Sequence, residues 1–111
     1  MTGPGAGAAI QLVRAVARLS LPSDAQVRYL RDLGVLPSID ELALEFHDRV
    51  VVLPQLVSAG WLTVREADLI GSLDEVLAQL NESETAEPWS EKALRESPRW
   101  EEVRSCARAV L

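Results

Sequence analysis

The chain has 111 residues, 48% of them hydrophobic and 25% charged, which is the size and balance of one small globular domain rather than of a disordered segment. Its one cysteine, Cys106, excludes an intrachain disulfide and the class of small secreted disulfide scaffolds. The net charge of −6 is uneven, because residues 37–91 hold twelve acids and two arginines whereas residues 1–36 and 92–111 are each net +2.

The first segment predicts a flexible Gly/Ala-rich N-terminus over residues 1–7 and a helix over residues 8–19. We expect Ile10, Val13, Val16 and Ala17 to form the buried face of this helix, by their spacing. Arg14 and Arg18 interrupt the apolar stretch, so neither a secretory signal nor a membrane span is expected. The single cysteine is typical of a reducing compartment, so a cytoplasmic location is expected.

Three helix starts share a capping-box pattern, in which Ser or Thr is followed three residues later by Gln or Glu. The pairs are Ser23 with Gln26, Ser38 with Glu41, and Thr63 with Glu66. The helix after Ser23 is predicted to end before Gly34, with Val27, Leu30 and Leu33 toward the core.

The helix after Ser38 is apolar over more than half its circumference, because Leu44 and Val51 widen the face that begins at Ile39. Such a helix is usually central, so we expect it in the middle of the bundle, kinked or restarted at Pro54 and stopped at Gly60. Its Glu41, Glu45 and Asp48 are predicted to share the opposite, solvent-facing side.

The remaining chain predicts a helix over residues 64–80, an exposed acidic loop over residues 81–88, a short helix capped by Ser90 and a last helix starting at Ser97 and Pro98. No segment alternates in a β pattern. The sequence therefore predicts an all-α, compact single-domain bundle of five to six helices with a kinked central helix, over residues 8–111.

Residues suited to catalysis or metal binding are few. His47 is the one histidine and Cys106 the one thiol, and no CxxC or HxxxH spacing or phosphate-binding loop accompanies them. We therefore expect no enzyme activity, no catalytic residues, no metal and no cofactor. An enzyme with an unrecognised site is the least favoured alternative.

The acidic segment, residues 37–91, lacks the clustered Lys and Arg that bind a phosphate backbone. We therefore expect a basic protein partner and no nucleic-acid partner. Acids that merely keep the domain soluble are the alternative. We expect Trp61 and Trp100 in the core and Trp89, beside Pro88, at the surface. The predicted partner-binding residues are Glu41, Glu45, Asp48, Asp68, Asp74, Glu75 and Trp89.

A resemblance supports the protein-binding hypothesis. The segment YLRDLGVLPSIDELALEFHD, followed by VVVLPQLVSAGWLT, resembles short, uncharacterised helical bacterial proteins, some of them of the immunity-protein type that blocks a partner toxin. The resemblance covers roughly residues 21–105 and rests on helix-cap and core residues, so it implies a partner-binding role and transfers no site residue. The competing hypothesis is a structural or regulatory adaptor, a homodimer that buries its own apolar helix face.

Overall fold

Helices make up most of the described part of the chain. The computed structural model describes residues 5–34, 38–82 and 87–111, and these ranges contain seven α-helices, one short 3-10 helix and no strand. The helices are α1 (Ala6–Ser20), α2 (Ser23–Asp32), α3 (Glu41–Val50), α4 (Leu53–Ser58), α5 (Val64–Asn81), α6 (Glu91–Glu96) and α7 (Pro98–Val110), with the 3-10 turn Glu87–Trp89 before α6. The predicted all-α class is confirmed.

The central helices are α1 and α7. Helix α1 packs against both α3 and α7, and α5 also packs against α7. Helix α7 occupies this position because it buries Trp100, Val103 and Ala107 completely. The prediction that the helix after Ser38 is central is therefore wrong. Its additional apolar residues Leu44 and Val51 are 47% and 62% exposed, so they widen its surface rather than its buried face.

Pro54 divides one predicted helix into two. Helix α3 ends at Val50, and α4 begins at Leu53 with the proline in its first turn. A proline lacks the amide that an interior position must donate, whereas the first turn has no acceptor for that amide. Of the two outcomes expected at Pro54, a kink or a restart, the structure has the restart. The described ranges therefore hold more helices than the five to six expected.

Three helix starts confirm the capping predictions. Thr63 Oγ1 accepts a hydrogen bond from the Glu66 amide at 3.1 Å. In return, the Glu66 carboxylate accepts one from the Thr63 amide at 2.8 Å. Ser90 accepts from the Ala93 amide at the start of α6. Ser97 caps α7, whose first residue is Pro98. These ends satisfy amides that a helix leaves without partners.

The other two predicted capping boxes are wrong. Pro22 is the N-cap of α2 and Asp40 the N-cap of α3, and neither start has a side-chain cap. Ser38 lies one turn before α3, where its carbonyl accepts from the Glu41 amide. Gln26 is unavailable for capping because its side chain is completely buried against the end of α1.

The buried face of α1 differs from the predicted one. Leu12, Val16 and Leu19 are completely buried, whereas Ile10 and Val13 are 49% and 41% exposed. The helix carries apolar residues around most of its circumference, and the side that becomes buried is the side that meets α3 and α7. The helix also begins at Ala6, inside the predicted flexible segment. Residues 1–4 of that segment lie outside the described ranges.

Two further exposure predictions are wrong. Leu33, expected in the core, follows the last turn of α2 and is 50% exposed. Trp61, also expected in the core, is 49% exposed, whereas Trp100 is completely buried as predicted. Of the predicted acidic loop, Asn81 belongs to α5 and Pro88 to the 3-10 turn, while residues 83–86 lie outside the described ranges.

A buried polar network joins four helices. Gln26 Nε2 donates to the carbonyls of Arg18 and Leu19 at 3.1 Å each, which satisfies the open end of α1. Arg104, only 3% exposed, donates from Nη1 to Gln26 Oε1 at 3.0 Å and to the Leu94 carbonyl at 2.9 Å. Since both side chains are buried, every bond they form replaces one with water.

Gly60 ends α4 in the left-handed region, with φ of 82°. Its amide donates to the Val57 carbonyl and the Trp61 amide to the Leu56 carbonyl, which is the Schellman arrangement. We expect Gly60→Ala to lower the free energy of unfolding by about 1 kcal/mol, because a Cβ disfavours this φ.

The matched control is Gly71→Ala within α5, where an added Cβ meets no atom within 4 Å. This change should raise the free energy of unfolding by roughly 0.5 to 1 kcal/mol, since alanine is the better helix former. Urea denaturation of both variants measures the difference. Equal shifts of one sign would contradict the assignment of Gly60 to a strained turn.

Candidate functional site

A groove of about 650 Å³ lies between α3 and α5. Its apolar lining consists of Ala43, Leu44, Phe46, Leu77, Ala78 and Trp89. Its polar lining consists of Asp40, His47, Asp74 and Asn81. The volume is in the range of binding clefts in proteins, and an apolar lining with a few polar groups is typical of them.

The groove exists because its two walls belong to different helix pairs. Helix α3 is held by α1, and α5 by α7, so the walls are positioned separately. Phe46 and Leu77 are buried and form the floor, whereas Leu44 is 47% exposed. An exposed leucine over a buried apolar floor is a surface that another molecule can cover.

Trp89 forms one end of the groove and is half-buried. Its ring meets the Trp100 ring edge to face, with centroids 6.0 Å apart and an interplanar angle of 81°. Trp100 in turn donates from Nε1 to the Pro88 carbonyl at 2.7 Å. The core therefore fixes Trp89, which is less exposed than the sequence suggested but lies at the surface of the groove.

Carboxylates dominate the charge of the groove. Asp40 and Asp74 stand on opposite walls, and neither forms a salt bridge with any residue of the described ranges. The described lining residues include these two carboxylates and no Lys or Arg. The groove is therefore negative.

The predicted partner-binding acids do not converge on one site. Asp74 lines the groove, whereas Glu45 and Asp48 line a separate hollow of about 240 Å³ against α1. Asp68 and Glu75 are exposed on α5, at about 100° or more around the helix from Asp74. Glu41, half-buried in the first turn of α3, lines neither cavity among the residues described.

Glu45 forms hydrogen bonds inside the protein. Its Oε2 accepts from Arg18 Nη1 at 2.9 Å and from the Tyr29 hydroxyl at 2.8 Å. The Arg18 guanidinium also lies over the Tyr29 ring, 4.9 Å from its centroid. Glu45 Oε1 is buried and has no hydrogen-bond partner among the described residues. The carboxylate thus joins α1, α2 and α3.

Burial, with the hydrogen bond to Glu45 and its negative charge, raises the pKa of Tyr29 from 10.0 to about 12. The neutral phenol therefore stabilises the fold fully below pH 10, and this stabilisation is lost as the pH rises through about 12. Tyr29 is the one tyrosine of the chain, so titration of the phenolate absorbance reports it alone.

The expected midpoint of that titration is about 12, and Glu45→Gln should move it downward because it removes the negative charge. A midpoint near 10.0 in the folded wild type would show that the contact with Glu45 is absent.

Sequence reasoning found Asp74 and Trp89 but missed Asp40, Leu44 and His47. The signal was the apolar width of α3, which was interpreted as a wide buried face opposite an acidic surface stripe. Asp40, Leu44 and His47 lie on one side of that helix at intervals of four and three residues, the spacing of a helix face.

His47 and Cys106, the residues best suited to nucleophilic chemistry, do not lie together in the groove. His47 lines the groove, whereas Cys106 is half-buried on α7 and is not part of its lining. The residues described include no cluster of three His, Cys, Asp or Glu placed to hold a metal ion. Within the same ranges, no helix has both the length and the apolar character needed to cross a bilayer.

No family model matches the chain, and neither a curated protein nor a solved structure is significantly similar to it.

Proposed function

We propose that the protein is a non-catalytic binding domain of the immunity or antitoxin type, which binds a basic protein through the acidic groove between α3 and α5. The observation that carries this proposal is the pairing of Asp40 and Asp74 across an apolar cleft, without cations to neutralise them among the described residues.

The distribution of ion pairs supports this choice of surface. The arginines of α6 and α7 all have carboxylate neighbours: Arg95 meets Asp24 and Glu91, Arg99 meets Glu102, and Arg104 and Arg108 meet Glu101. The acids Asp68, Asp74 and Glu75 of α5 have no such neighbour within the described ranges. The negative potential therefore remains along α3 and α5, where it attracts a basic partner and accelerates its association.

The apolar lining supplies what charge alone does not. Leu44 and Trp89 offer apolar surface beside buried Phe46 and Leu77. Interfaces gain most of their affinity from a few apolar or aromatic contacts surrounded by polar groups. We therefore propose that the apolar lining residues provide the affinity, and that the two rim carboxylates, Asp40 and Asp74, orient the partner.

Charge reversal of the rim tests the proposal. The double variant Asp40→Lys/Asp74→Lys should lose at least about tenfold in affinity for a basic protein recovered with the wild type, because each reversal replaces attraction with repulsion at the interface. The partner is recovered from the native cell on immobilised protein, and affinity is then measured with purified components by calorimetry.

The matched control is Asp32→Lys/Glu96→Lys, which makes the same change of net charge at acids outside the groove lining. This variant should bind within about twofold of the wild type at physiological salt, where distant surface charges are screened. Equal losses in both variants would show a non-specific charge effect, and equal retention would reject the groove.

A further inference from the structure

An apolar stripe that is largely exposed among the described residues runs along the outside of α1. Ala6, Ile10, Val13 and Ala17 recur at intervals of four, three and four residues, which places them on one side of the helix. Ile10 and Val13 are 49% and 41% exposed, and Ala6 is exposed as well. This side is distinct from the buried side formed by Leu12, Val16 and Leu19.

A positive charge accompanies the stripe. Arg14 is exposed beside Ile10 and Val13, and it forms no salt bridge with the residues described. The surrounding residues 1–36 are net +2 in a chain of net −6. Helix α1 thus presents the apolar anchors and the cation of a basic amphipathic helix.

The groove has the complementary features. Each wall extends over eight residues, from Asp40 to His47 and from Asp74 to Asn81, which is two helical turns or about 10 Å. Small side chains, Ala43 and Ala78, occur on both walls, and Asp40 and Asp74 carry the negative charge. A helix of two to three turns with apolar anchors and a flanking cation matches this length and charge.

We propose that, while no other partner is bound, the α3–α5 groove of one molecule takes the α1 stripe of a second molecule. Ile10 and Val13 then cover the apolar lining, and Arg14 lies near Asp40 or Asp74. The contact joins two different surfaces. It therefore closes into a dimer only if the α1 stripe of each molecule lies in the groove of the other. The basic partner of the proposed function competes with α1 for the groove.

Sedimentation equilibrium over a range of protein concentrations tests this inference. Wild-type protein should self-associate reversibly, and Ile10→Glu/Val13→Glu should weaken that association at least about tenfold, because two charges enter an apolar contact. The control Val51→Glu/Val64→Glu changes residues that are 62% and 67% exposed and lie outside both surfaces, so its association should equal that of the wild type.

A charge exchange identifies the groove as the acceptor. Asp40→Lys/Asp74→Lys alone and Arg14→Glu alone should each associate weakly with themselves, because like charges then face each other. An equimolar mixture should associate as strongly as the wild type, since each groove then meets an α1 of opposite charge. A monomeric wild type, an unaffected Ile10→Glu/Val13→Glu variant or a mixture no stronger than its components would each overturn the inference. Binding of a basic partner is measured separately and does not depend on these outcomes.

Discussion

Replacing Trp100 with alanine should lower the free energy of unfolding by about 4 kcal/mol. The side chain is completely buried and is among the largest buried side chains described. Its loss leaves a cavity between α7 and the 3-10 turn, removes the edge contact with Trp89 and leaves the Pro88 carbonyl without its donor. Chemical denaturation, followed by circular dichroism, measures the change.

Trp61→Ala is the matched control, because it removes the same side chain from a position that is 49% exposed. Its cost should be about 1 kcal/mol or less. The variant Trp100→Phe separates the contribution of core volume from that of the hydrogen bond, since it keeps most of the volume and loses the bond to Pro88. Equal losses at Trp61 and Trp100 would contradict the placement of Trp100 in the core.

Replacing Arg104 with methionine should lower the free energy of unfolding by about 3 kcal/mol, because it leaves Gln26 Oε1 and the Leu94 carbonyl buried without their donor. Gln26→Met should cost a similar amount, since two carbonyls at the end of α1 then lose their donor. The double variant should lose less unfolding free energy than the sum of the two single losses, because the side chains belong to one network.

Arg108→Met provides the comparison for this prediction. Arg108 is half exposed in its side chain and pairs with the same Glu101 that pairs with Arg104. Exposed pairs contribute little, so the loss should stay below about 1 kcal/mol. A cost for Arg104→Met no larger than that for Arg108→Met would contradict the buried network.

Local signals in the sequence predict most helix boundaries correctly. Thr63 with Glu66, Ser90, and Ser97 with Pro98 cap helices as predicted, because the interactions involved lie within one turn. Ser23 and Ser38 do not cap helices. Gln26 donates instead to a carbonyl at the end of α1, and Asp40 rather than Ser38 is the residue that precedes α3.

Periodicity cannot decide which side of an apolar helix becomes buried. Helix α1 has one apolar side through Leu12 and Val16 and another through Ile10 and Val13, and both satisfy the helical spacing. The contacts with α3 and α7 make the choice. The same limitation placed α3 at the centre, although Leu44 and Val51 are exposed.

The candidate site was predicted in part. The charge distribution pointed to the middle of the chain, and Asp74 and Trp89 do line the groove. Glu45 was expected on an outer stripe, but its hydrogen bonds with Arg18 and Tyr29 come from residues 27 and 16 positions away. Asp40 faces Asp74 only because α3 and α5 are held by different central helices, an arrangement that no local pattern encodes.

Carboxylate footprinting of the complex with the basic partner tests the central claim most directly. Carbodiimide labels accessible Asp and Glu side chains, and mass spectrometry compares each position in the free and bound protein. We predict that labelling of Asp40 and Asp74 falls on binding while that of Asp32 and Glu96 is unchanged. Unchanged labelling of Asp40 and Asp74, with protection at other acids, would contradict the assignment of the α3–α5 groove as the partner-binding site.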